Sequence, residues 1–226
     1  MTREQLEHII RASAVIADDE EIVIVGSQAV LGQFPAAPPE LLVSIEADVY
    51  PRNHPDRADL IDGSIGEGSP FHDTFGYYAQ GVGPETATLP EGWSDRLVRI
   101  QNRNTRDAIG WCPEIHDLVL SKGAAGREKD WRFLDGAVRA GLVEEDVLLS
   151  RLATMDVSEP IRENIRQHVA AAFRRARAGG PRRRTSRTPP ITRRGGRCGG
   201  GRRGRRRGRR CGCPAGRGPG RGLRGS

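Results

Sequence analysis

The sequence predicts an α/β (α+β) fold: a small sheet flanked by helices, a helical C-terminal half and a disordered basic tail. Three observations predict it. Short apolar runs bounded by Gly, Pro or polar turns lie between residues 21 and 112, as short strands do. From His116 onward, apolar residues recur at helical spacing. From Gly179 to Ser226 there are 17 Arg and 15 Gly and no acid, a composition that cannot bury a core. The expected boundaries are 1–115 for an α/β core, 116–178 for a helical part of the same domain, and 179–226 for the tail.

Each element has its own signal. Thr2 with Gln5 offers a capping box ahead of Leu6, Ile9, Ile10, Ala14 and Val15, which predicts a first helix. "EIVIV" is a short buried strand. Gly26-Ser27 then turns into a helix, "SQAVLGQF", and "PAAPPE" is a loop. "LLVSIEADVYP" is a second strand, ended by Pro51. "HPDRADLIDGSIG" and "SPFHDTFG" read as helices and "YYAQGVG" as a strand. "RLVRIQN" and "AIGWCPEI" are further strands, separated by the polar turn "RNTRD". "HDLVLSKGAAGREKDWRFLDGAVRAG" gives one or two helices, with breaks at Gly123 and Gly126. "EEDVLLSRLATM" and "SEPIRENIRQHVAAAFRRARA" complete the body. That order makes an α/β core with a helical cap.

Charge separates body from tail. The whole chain carries +7 and the 17 tail arginines carry +17, so residues 1–178 hold −10. No run approaches the roughly 18 apolar residues of a membrane span. The first residues lack a basic region followed by a cleavage site. The expectation is a cytoplasmic protein with no membrane partner. Cys112 is alone in the body, so no disulfide framework exists there. In the tail, Cys198, Cys211 and Cys213 have no His nearby and make a poor zinc site. The tail itself has two readings. It is an arginine-glycine arm that binds nucleic acid non-specifically through phosphates and base stacking. Or it is GC-rich DNA translated out of frame, which yields Arg, Gly, Pro, Ala and Cys.

Chemistry concentrates at three places. At Gly26-Ser27, a glycine in a strand-to-helix turn lets a phosphate approach the backbone, and the helix N-terminus supplies N–H groups. A plain turn with Ser27 as N-cap is the alternative for the pair taken alone. Glu46 and Asp48 lie two apart on one strand and so face the same side. Two like charges on a buried strand repel and lose hydration, and a divalent cation removes both problems. Acids at a strand end facing water are the alternative. Finally, only two of the 36 basic residues are lysines, and both, Lys122 and Lys129, fall in "HDLVLSKGAAGREKD". Clustered ammonium groups fit a site wanting a compact cation, and a helix surface produces them by chance as well.

Strand, Gly-Ser, helix, then a strand with acid-x-acid resembles the nucleotidyltransferase superfamily related to DNA polymerase beta. Gly26 and Ser27 match its first element, Glu46 and Asp48 its second. Asp117, Lys122, Arg127, Lys129 and Asp130 resemble the downstream helix of bacterial nucleotidyltransferase-like proteins allied to abortive-infection toxins. The resemblance covers about residues 5 to 175. It implies a small mixed sheet of the nucleotidyltransferase type. It implies Mg²⁺ held by Glu46 and Asp48, and an NTP whose triphosphate lies over Gly26 and Ser27. Arg127 and Lys129 belong to the same binding set, and Lys122 steadies phosphate charge. Asp130 orients Lys122 or Arg127, or else makes a surface pair with Arg127. The implied acceptor is a hydroxyl of RNA or protein, with a toxin-like role and an antitoxin partner.

This chain departs from the pattern. Glu46 stands where the superfamily usually has Asp. No third acid stands out among Asp95, Glu114 and Asp117, which keeps open a catalytically degenerate fold that binds or regulates. Gly123 sits where a large apolar residue would pack a helix better. His54, His72 and His116 read as surface or capping residues, Trp93, Trp111 and Trp131 as core anchors, and Tyr77-Tyr78 as core packing.

Overall fold

The computed structural model describes residues 1–179. The tail from residue 180, with its three cysteines and its expected disorder and nucleic-acid binding, lies outside the described residues. Helix α1 (Arg3–Ala17) begins in the expected capping box, with Gln5 N–H on Thr2 Oγ1 at 3.3 Å and Thr2 N–H on Gln5 Oε1 at 2.8 Å. Strand β1 (Glu21–Val25) leads through a 3-10 turn, Ser27–Ala29, into α2 (Val30–Gln33). Strand β2 (Glu46–Pro51) follows, then α3 (Ala58–Ile65), α4 (Pro70–Phe75) and β3 (Tyr78–Gly81). Strands β4 (Val98–Ile100) and β5 (Ile109–Cys112) precede α5 (Ile115–Ala125), α6 (Glu128–Arg139), α7 (Glu145–Leu152) and α8 (Glu159–Gly179).

The five strands form one mixed sheet in the order β3-β2-β1-β5-β4. β1 is antiparallel to β2 and parallel to β5; β2 is parallel to β3, and β4 antiparallel to β5. Side-chain alternation gives the sheet two unlike faces. On one, Ile22, Ile24, Ala47, Val49 and Ala79 join the main core with Leu6, Ile9 and Ile10 of α1 and Ile61 of α3. Ile9 and Ile10 are wholly buried, and each contributes about 2–3 kcal/mol relative to exposure. Packing of that stripe, more than intrinsic propensity, holds α1 in place. On the other face, Val23, Val25 and Tyr50 form a smaller cluster with Ala58 and Trp111. The register Val23↔Tyr50 and Val25↔Asp48 puts Glu46 and Asp48 on this second face.

Several local expectations are corrected. The helix expected at "SQAVLGQF" is a 3-10 turn and one short α-turn, so little helix dipole stands behind Gly26. Strand β2 starts at Glu46, five residues later than expected. Leu42 N–H bonds Pro39 C=O at 3.0 Å, and Gln28 Nε2 donates to Ser44 C=O at 2.8 Å, so this backbone is committed outside the ladder. The break between α5 and α6 falls at Gly126 alone, which takes the left-handed conformation at φ 66°. Gly123 stays helical because α8 crosses it: a Cβ there would lie 3.2 Å from Ile165 Cγ1. A large apolar residue has no room. The three tryptophans are half-buried rather than core. Trp111 needs its rim position to donate Nε1–H to Glu21 Oε2 at 2.6 Å, and Trp131 stacks on His168 with centroids 3.8 Å apart. His116, expected at the surface or in a cap, is half-buried and accepts the N–H of Glu144 at the start of α7. No helix among the described residues is long and apolar enough to cross a membrane.

Candidate functional site

β1 runs into Gly26, whose φ of 70° and ψ of −168° fall in a region open essentially to glycine. A Cβ there would overlap Asp48 Oδ2 and lie 3.1 Å from Asp48 Cγ. The glycine thus seats the Asp48 carboxylate against the turn. Ala29 N–H bonds Gly26 C=O at 3.3 Å and closes that turn. The first amides of such a turn have no acceptor within the helix. Gln28 is buried, and its Nε2 clamps Ser44, whose Oγ takes the Glu46 N–H at 3.3 Å. Turn and acidic strand are therefore tied together before any ligand arrives. Ser27 is half-exposed at the turn's first position.

No hydrogen bond among the described residues offsets the charge of Asp48. Burial pushes its carboxyl above the usual Asp range, and repulsion from Glu46 adds to it; Lys122, Lys129 and Arg127 pull the other way. Among the described residues no hydrogen-bond donor reaches its carboxylate. Glu46 differs: Tyr78 of the neighbouring strand donates its hydroxyl to Oε2 at 2.9 Å. Burial, then the Glu46 carboxylate it serves, pushes that hydroxyl up to about 12, so it stays a donor at any ordinary pH.

The cations stand at the corner between α5 and α6. Lys122 in the last turn of α5 is buried, with Nζ 3.2 Å from Asp130 Oδ1 and 5.0 Å from the Phe133 ring centroid. Burial lowers the Lys122 ammonium, and Asp130 raises it back in part. Asp130 is 1% exposed. It accepts Arg127 N–H at 3.2 Å and Arg127 Nε at 2.8 Å, the acid's half of a capping box on α6. Burial alone would raise the Asp130 carboxyl; hydrogen bonds from Arg127 and Lys122 outweigh it and hold the group ionised. Both carboxylate oxygens are thus spent on positioning the two cations. Arg127 and Lys129 are exposed and, with Lys122, act on Asp48 through their charge.

The third-acid candidates do not join them. Asp117 is wholly buried and paired with Arg96 Nε at 2.8 Å and Arg151 Nη1 at 2.9 Å. Glu114 binds Arg151 and accepts from His116 Nδ1 at 2.9 Å, while His116 Nε2 accepts Glu144 N–H at 2.9 Å. This network clamps α5 to α7 and to the turn before β4. Asp95 is exposed in that turn. Among the described residues no group of three or more His, Cys, Asp or Glu side chains is placed to hold a metal. Sequence reasoning missed the Tyr78–Glu46 bond, whose only signal is the register of β2 on β3. It missed Arg96 and Arg151 because their acids lie at least 21 positions away.

Two carboxylates are nonetheless a workable donor set for Mg²⁺, which binds through one or two carboxylates and substrate phosphates. Asp48 has unmet negative charge, and Glu46 Oε1 has no partner among the described residues, so the pair fits a cation shared with phosphate.

A family model described as "Nucleotidyltransferase of unknown function (DUF6036)" matches residues 4–175 of the chain. Comparison with the curated proteins gives no match, and neither does comparison with the solved structures.

Proposed function

The chain belongs to the nucleotidyltransferase family whose model spans residues 4–175, and on that premise we propose that it transfers a nucleoside monophosphate from an NTP to a hydroxyl of RNA or protein. The observation that carries this reading is the convergence on Asp48. Gly26 abuts its carboxylate, Glu46 shares its face, and three cations act on it. In this reading the Gly26–Ser27 turn seats the triphosphate with backbone amides and the Ser27 hydroxyl. Glu46 and Asp48 hold Mg²⁺, which when bound offsets phosphate charge and stabilises the attacking and leaving oxygens. Lys122 is a point charge fixed by Asp130, and Arg127 and Lys129 reach phosphate from the exposed side. The acceptor oxygen bonds the α-phosphorus, the bond to the β-phosphate oxygen breaks, pyrophosphate leaves, and the hydroxyl proton passes to water. The protein's part is positioning and electrostatics.

The test is transfer of label from each α-labelled NTP, with Mg²⁺, to total RNA or cell protein. Labelled product with the wild-type chain, lost in Asp48→Ala, supports the reading and identifies the acceptor. One observation favours a second reading: no third acid joins the pair among the described residues. On that reading the chain binds nucleotide without transferring it. Stabilisation by Mg²⁺ and NTP with no labelled product from any of them would favour the binding protein over the transferase.

A further inference from the structure

We propose that Tyr78 is a positioning residue for the cation site: its hydroxyl fixes the Glu46 side chain so that Oε1 is presented beside Asp48. This rests on the reading of Glu46 and Asp48 as the cation-binding pair. The geometry is specific. β2 and β3 are parallel, with Tyr78 directly opposite Glu46. Tyr78 donates to Oε2 at 2.9 Å, since a carboxylate only accepts. Oε1 is left without a partner among the described residues.

The tyrosine is itself held. It is 7% exposed, and the His72 ring of α4 lies against it with centroids 4.7 Å apart. His72 is pinned in turn: its Nδ1 accepts Gly68 N–H at 3.1 Å, and its own N–H bonds Ser69 Oγ at 3.2 Å. α4 therefore fixes His72, His72 fixes Tyr78, and Tyr78 fixes Glu46.

The need for such a chain follows from side-chain length. Glu has one more methylene than Asp and one more rotor to hold still. Asp48 is seated directly against the Gly26 turn. Glu46 has no glycine beneath it and is held instead from the adjoining strand. The extra methylene lets Oε2 reach Tyr78 and leaves Oε1 without a partner among the described residues. Residues that orient metal ligands in this way are typically worth 10–100-fold in metal affinity.

The experiment titrates Mn²⁺ alone into the full chain and its variants, read by water-proton relaxation, with a thermal melt of each. Tyr78→Phe should weaken Mn²⁺ binding roughly tenfold while melting stays near wild type. Tyr77→Phe is the control. Its hydroxyl pairs with His8 Nδ1 at 2.8 Å, away from the acids, and its loss should leave Mn²⁺ affinity unchanged. Glu46→Asp, too short to reach Tyr78, should weaken binding itself and abolish any further effect of Tyr78→Phe. Additive losses in the double variant would overturn the inference. So would equal losses from Tyr77→Phe and Tyr78→Phe, or unchanged affinity in Tyr78→Phe. A wild-type chain that takes up no Mn²⁺ would overturn the cation site, and the role of Tyr78 with it.

Discussion

Gly26 and the carboxylate of Asp48 occupy adjoining space: a Cβ on Gly26 would overlap Oδ2 and stand 3.1 Å from Cγ. The φ of 70° separately disfavours any side chain. Gly26→Ala should therefore cost about 2–3 kcal/mol of stability and displace Asp48. Urea unfolding and labelled-NTP transfer check this together. A variant with wild-type stability and activity would show that the turn tolerates a side chain and is not the seat of Asp48.

Asp48 should trade stability for chemistry. Its folded pKa is raised by burial first and by Glu46 second, above its unfolded value. A raised acid costs stability once pH climbs past the unfolded pKa, and the whole cost is present above the folded one. Asp48→Asn should thus raise the melting temperature at neutral pH by a few degrees and abolish transfer. The gain should vanish below about pH 3.9, where an unperturbed Asp is itself half protonated. A melting temperature that falls at pH 7 would contradict the unmet charge.

Lys122 and Asp130 should respond unequally. Asp130→Ala strands the buried Lys122 ammonium and removes the acceptor at the start of α6, at a cost of about 3–5 kcal/mol. Lys122→Met keeps the Arg127–Asp130 bonds and fills the space over Phe133, at a cost under about 1.5 kcal/mol. Both should lose transfer. Equal shifts in the urea midpoint would mean that Asp130 does not anchor the corner.

Glu114 sets part of the acid limit of folding. Burial pushes its carboxyl up, but hydrogen bonds from His116 and Arg151 outweigh it and hold it at about 2, from 4.5. A depressed acid contributes stability above its unfolded pKa and loses it as pH falls through the folded value. Glu114→Gln should cost on the order of 3 kcal/mol at neutral pH and flatten the loss of stability between the two values. Denaturant midpoints from pH 2 to 7 measure it. Parallel wild-type and variant profiles would remove Glu114 from the acid response.

Much of the fold is legible in local pattern. The Thr2–Gln5 box, the Leu6, Ile9, Ile10 and Ala14 stripe of α1 and the short run of β1 are local signals that form where their residues stand, whereas Val15, expected in that stripe, is exposed because it falls off the buried face of the helix. The shared face of Glu46 and Asp48 follows from the period of a strand whatever its neighbours. Corrections cluster where long-range contacts compete with local preference. β2 begins late because Ser44 is claimed by Gln28, and Gly123 stays helical because Ile165 lies on it. Asp117 stands in a helix expected to serve the site, yet two distant arginines make it a clamp between elements.

Local pattern sets the order of elements, the pairing of two acids on one strand face, and the glycine turn before them. Those are properties of neighbours in the chain, governed by backbone periodicity and by what a Cβ forbids. Long-range packing decided that β3 lies beside β2, so that Tyr78 meets Glu46 across 32 positions. It also decided that Lys122 and Asp130 are buried together, and that Glu114 and Asp117 are consumed by Arg151. Strand order, register and helix docking are set by burying apolar surface shared between distant segments, and no local pattern records which segments will share it.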